Sequence, residues 1–165
     1  MVFPFDGPIA WLTLALWLSF AAWTTALTIV DVREHRLPNR MVAMAFAGCV
    51  MITGAQALLA GDPTVVVGAL GGAGVAVSVF LVGHVVGGMG MGDVKYAAVT
   101  GWVLGSVGWS AVWWGHVVGF VLAGAVVMAG MLLKRLHRRS AVPFGPFMGG
   151  GSLVVGLGAI AGLIG

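Results

Sequence analysis

Two of the five acidic residues in this 165-residue chain, Asp31 and Asp93, stand at the ends of long apolar runs. Asp31 closes one run ahead of Val32-Arg33-Glu34-His35-Arg36-Leu37-Pro38-Asn39-Arg40, and Asp93 follows the glycine-rich string Gly87 to Gly92. An ionised carboxylate at the centre of a bilayer costs roughly 2.5–3.5 kcal/mol on insertion scales, so acids in such settings are candidates for function by default. Two carboxylates held close cannot both ionise easily: one pKa rises and the pair shares a proton. One member can then take a proton from water as general base. The other, protonated, polarises a carbonyl, the division of labour in aspartic proteases.

The elements that would position such a pair follow from composition. The chain is 60% hydrophobic and 8% charged, against roughly 25% charged residues in a soluble domain. This predicts an all-α polytopic membrane protein, a bundle of about six transmembrane helices forming one domain over residues 1–165. The apolar runs extend from Ile9 to Val30, Met41 to Ala60, Thr64 to Val86, Val94 to Val107, Trp109 to Leu133 and Phe147 to Ile164. The first lacks a basic segment before it and is long enough to span, so it reads as a retained helix rather than a cleaved signal.

Charge sets the orientation. Arg33, Arg36 and Arg40 lie between runs one and two, Lys95 between three and four, and Lys134, Arg135, Arg138 and Arg139 between five and six. Alternating spans put all of them on one face, which the positive-inside rule makes cytoplasmic, with both termini outside. Asp31 and Asp93 then share that cytoplasmic layer. The net charge of +3 belongs to orientation beside anionic lipid rather than to nucleic acid, for which no soluble basic face exists. Gly68 and Gly72, Gly101 and Gly105, Gly115 and Gly119, and Gly158 and Gly162 have the spacing that lets helices approach closely in lipid.

Other residues invite plainer readings. Cys49 has no partner for a disulfide or zinc and reads as packing. His84 and His116 are too few to converge on a metal, so no metal or other cofactor is expected and hydrogen-bonded packing is the better account. Glu34 should pair with neighbouring arginines, and Trp11, Trp109, Trp113 and Trp114 suit interfacial anchoring at the outer face. Pro38 and Asn39 suit the start of the second helix. Lys95 could lower the Asp93 pKa, contact substrate, or serve orientation alone. Glycines at Gly87, Gly88, Gly90 and Gly92 should break the helix where Asp93 appears.

With both acids and their neighbours in view, the chain resembles the type IV prepilin peptidases, membrane proteases of the GxGD class. Asp31 with Leu37-Pro38-Asn39 resembles the first catalytic block, Gly90-Met91-Gly92-Asp93-Val94-Lys95 the second, and Pro143-Phe144-Gly145-Pro146-Phe147 a third recurrent block. The resemblance implies that Asp31 and Asp93 are the catalytic pair, with Gly90, Gly92, Lys95, Leu37, Pro38, Asn39, Pro143, Phe144, Gly145 and Pro146 around the site. It implies a type IV prepilin or pseudopilin substrate, cut after its basic leader in a bacterial cytoplasmic membrane. The paired-cysteine methyltransferase region of longer members is absent, which points to a short form like those serving Tad/Flp-type pili. Two other readings compete. A presenilin-like or signal-peptide-peptidase-like enzyme would carry a Pro-Ala-Leu block, which this chain lacks. A transporter or assembly scaffold would leave the Leu37-Pro38 and Pro143 to Pro146 segments unexplained.

Overall fold

The computed structural model describes residues 7–34, 36–87, 89–134 and 143–161. Six helices run in order: α1 (Pro8–Glu34), α2 (Asn39–Ala60), α3 (Thr64–Gly87), α4 (Met91–Gly105), α5 (Trp109–Leu132) and α6 (Gly145–Ile160). No strand occurs among the described residues. Successive helices form antiparallel hairpins, α1 with α2, α3 with α4 and α5 with α6, and α6 also lies along α1.

Four helices, α1, α2, α3 and α5, are long and apolar enough to cross a membrane. The expected fourth and sixth spans differ: α4 has 15 residues and α6 has 16, or about 22–24 Å at 1.5 Å per residue, short of the ~30 Å hydrocarbon core. The packing gives the reason for α4. Ten of its residues, Val94, Tyr96, Ala97 and all seven from Val99 to Gly105, are buried, so its apolar character serves protein contact more than lipid contact.

Glycines make that contact possible. A Cβ on Gly68 would stand 2.6 Å from the Gly105 carbonyl oxygen, and one on Gly101 would stand 2.5 Å from that of Gly72. The two small-residue pairs thus face each other across α3 and α4, backbone against backbone. Gly151 of α6 meets the Gly115 and Gly119 backbone of α5 in the same way. Polar groups inside the bundle are tied across helices. Trp102 Nε1 donates to Thr53 Oγ1 at 3.2 Å, Gln56 Nε2 donates to Thr13 Oγ1 at 2.9 Å, and His116 Nε2 lies 3.1 Å from Thr100 Oγ1.

Turn chemistry ends and restarts the helices. Gly61, at φ 64°, closes α2 in a left-handed conformation that costs glycine little. Just beyond it the Thr64 N–H donates to Asp62 Oδ1 at 2.9 Å, and hydrogen bonding from the Thr64 side chain first and this N–H second holds the exposed Asp62 carboxyl below its ordinary pKa. At the opposite end of the bundle α1, α3 and α5 finish and α2, α4 and α6 begin. Arg33, Arg36, Arg40, Lys95 and Lys134 belong to that end; Arg135, Arg138 and Arg139 lie outside the described residues, as does Gly162.

Candidate active site

On α1 the buried positions Leu16, Trp17, Phe20, Thr24, Leu27 and Asp31 recur at helical spacing. Asp31 is therefore the last member of the core stripe, and its residue is 5% exposed. Three residues later α1 stops at Glu34, whose carboxylate accepts from Arg36 Nε at 2.9 Å as the sequence suggested. Asp93 sits in the first turn of α4, just ahead of Val94, where the apolar run begins. Its N–H donates to the Gly90 carbonyl at 3.1 Å, and its carboxylate folds back toward Gly90.

The two acids influence each other. Burial first, and the Asp31 charge second, push the Asp93 carboxyl up to about 6, against a smaller opposing pull from a Gly90 backbone hydrogen bond. Asp31 faces the start of α6, where the Gly145 N–H donates to its Oδ2 at 3.1 Å. Helix N-termini favour negative charge, because their first N–H groups are unpaired and the backbone dipoles align. Both carboxylates thus sit at the positive ends of the two short helices, one at α4 and one at α6.

The remaining residues singled out in the sequence lie around the starts of α2, α4 and α6. Leu37 packs on the first turn of α4: a Cβ on Gly92 would come 3.2 Å from the Leu37 Cβ. Pro38 caps α2 and its carbonyl accepts from the Val42 N–H at 3.2 Å. Asn39 Oδ1 accepts from Lys95 Nζ at 2.8 Å, which joins the start of α2 to α4. Phe144 lies between Phe80 of α3 and Phe120 of α5, at ring-centroid distances of 5.7 and 5.0 Å. Pro143 is half-buried before it, and Pro146 occupies the first turn of α6, where its missing N–H costs nothing. A Cβ on Gly145 would stand 2.7 Å from Asp31 Oδ2, so only glycine lets α6 approach this carboxylate so closely.

Some expectations change. Gly87 is the last residue of α3 and Gly92 is helical, so the glycines do not all break the chain; Gly88 lies outside the described residues. Gly92 instead provides room for Leu37. Lys95 leaves α4 about 200° around from Asp93, given 3.6 residues per turn, and is engaged by Asn39. His84 and His116 bond to the Met89 and Val112 carbonyls. No group of three metal-ligating side chains occurs among the described residues.

Three residues deeper in the bundle, on the helices that carry the site, escaped the sequence reading: Thr24, Tyr96 and Gly149. Thr24 Oγ1 and Tyr96 Oη are hydrogen-bonded at 2.8 Å, and Gly149 abuts both. The available signal was slight. Thr24 shares the Asp31 stripe, and Tyr96 is the only tyrosine in the chain.

A family model described as the type IV leader peptidase family matches residues 18–133. The chain belongs to that family. No curated protein and no solved structure matches it. This leader peptidase family member is accordingly a protease whose long apolar helices suit a membrane. The matched range holds Asp31, Leu37 to Asn39 and Gly90 to Lys95, and stops before Pro143 to Pro146. The contact from Gly145 to Asp31 therefore ties the third segment to the site on geometry alone.

Proposed function

We propose that the chain is a membrane aspartic endopeptidase that removes the basic leader from type IV prepilins or prepseudopilins. The observation that carries this reading is that Asp31, buried near the end of α1, and Asp93, in the first turn of α4, lie at the same end of the bundle, with Asp31 bonded to the Gly145 N–H where α6 begins. Asp31, accepting the Gly145 N–H at a helix N-terminus, is the anionic member, and Asp93, with its raised pKa, holds the shared proton. Asp31 takes a proton from water as the water oxygen attacks the scissile carbonyl carbon. Asp93 gives its proton to the carbonyl oxygen. Collapse of the resulting tetrahedral diol breaks the C–N bond as the proton on Asp31 passes to the leaving amine, and Asp93 recovers a proton from the diol.

In this reading Leu37, Pro38, Asn39, Gly90, Gly92 and Lys95 hold the mouth of the site, while Pro143 to Pro146 seat α6 against Asp31. By the positive-inside rule the basic residues at this end support a site at the cytoplasmic face, with both termini outside, and a leader peptidase of this kind works in a bacterial inner membrane. α4 and α6 complete six crossings despite their length, because longer neighbours surround them and the bilayer thins or the helix ends recess at modest cost. A basic leader would remain in the cytoplasm while the apolar helix behind it stays in lipid.

Co-expression with a prepilin, followed by gel shift, tests the proposal. Wild-type protein should remove the leader, and Asp31→Asn or Asp93→Asn should each leave the precursor intact while still inserting in the membrane. Normal cleavage by either variant would refute the paired-aspartate mechanism.

A further inference from the structure

We infer that Thr24, Tyr96 and Gly149 form a positioning layer that sets the separation of Asp31 and Asp93, an inference that rests on the catalytic pair proposed above. Each of the three helices at the site contributes once to the acidic layer and once to the layer beneath it. On α1, Thr24 precedes Asp31 by seven residues, two helical turns along the same buried stripe. On α4, Tyr96 follows Asp93 by three residues, about one turn. On α6, Gly149 follows Gly145 by four, again about one turn on the same face.

The lower layer is closed and polar at its centre. Tyr96 is 1% exposed and Thr24 is 5% exposed, and their hydroxyls are 2.8 Å apart. Each hydroxyl can donate or accept. A Cβ on Gly149 would lie 2.7 Å from Tyr96 Oη and would overlap the Thr24 methyl, so α6 seals the pair. α1 packs chiefly on α2 and α6, and α4 packs on α2, α3, α5 and α6. With little shared surface between α1 and α4 among the described residues, this buried bond ties the Asp31 helix directly to the Asp93 helix.

A phenylalanine would fill nearly the same space as Tyr96. The hydroxyl is thus separable from the packing, which makes the role testable. Purified full-length protein in detergent would be compared with Tyr96→Phe, Thr24→Val and Thr24→Ser, using a prepilin peptide as substrate. Loss of the tie should lower kcat about 10- to 100-fold, the scale of an ångström-sized misplacement of reacting groups. KM should stay within about twofold, and Thr24→Ser should restore the rate. Carboxyl-carbon NMR titration of labelled aspartates gives a readout independent of cleavage. In Tyr96→Phe the higher apparent pKa of the pair should fall toward the ordinary aspartate value as the carboxylates separate.

Unchanged kcat with an unchanged titration in Tyr96→Phe would overturn the inference. So would a lowered rate that Thr24→Ser fails to restore and that tracks a general loss of thermal stability. If wild-type protein cut no prepilin, the peptidase reading would fail, and the titration would still decide whether the layer spaces the two acids.

Discussion

Replacing Asp93 by asparagine should abolish cleavage and yet stabilise the fold at neutral pH. The Asp93 carboxyl is raised from its ordinary 3.8 to about 6, chiefly by burial and then by the Asp31 charge. The folded state therefore holds this proton more tightly than the unfolded chain does. Its contribution to stability is fully present below about 3.8 and is lost as pH rises through about 6. At about 1.36 kcal/mol per pKa unit the full window is worth roughly 3 kcal/mol. Partial exposure and solvent screening reduce that to about 1–2 kcal/mol. For a chain of this size, that is an unfolding-temperature gain of about 2–8 °C for Asp93→Asn at pH 8. The gain should vanish near pH 4. Cys49 provides the assay: it is the only cysteine and is fully buried, so a thiol-reactive fluorophore reports its exposure on heating in detergent. An asparagine variant that is less stable than wild type at pH 8, or a difference that ignores pH, would refute the reasoning.

Further outcomes follow from the same geometry. Gly145→Ala places a Cβ 2.7 Å from Asp31 Oδ2 and should lower kcat at least about tenfold, read by leader removal, while membrane insertion persists. Gly101→Val drives a side chain into the Gly72 backbone; it should destabilise by more than about 2 kcal/mol, measured by the Cys49 exposure ramp. In wild type, kcat/KM should fall as pH rises through about 6, where Asp93 loses the shared proton. A pH–rate profile on a prepilin peptide checks this.

The two acids were legible from the places where charge interrupts the apolar runs, Asp31 closing the first and Asp93 standing just ahead of the fourth. The buried stripe of Leu16, Phe20, Thr24, Leu27 and Asp31 was not legible, because α1 is apolar on every face and only packing shows which face is inside. The fourth run, Val94 to Val107, is already short in the sequence, but its place inside the bundle was not legible, because an apolar residue looks alike whether it meets lipid or protein. Trp102, Val103 and Leu104 lie in that run and are buried against protein. Gly92 read as a helix breaker, but its place on α4 is explained only by Leu37, which arrives from the turn before α2. Likewise Gly145 gains its role from a carboxylate on α1, and Tyr96 from a threonine there. Contacts at such sequence separation leave no local pattern.

The most direct test of the central claim is a comparison of kcat/KM for wild type, Asp31→Asn, Asp93→Asn and the double variant on one prepilin substrate. Groups that act as a unit are non-additive: losing either costs about as much as losing both. The account predicts that all three variants fall to the same residual rate. A single variant that keeps most of the wild-type rate, or a double variant whose loss is the sum of two partial ones, would contradict it.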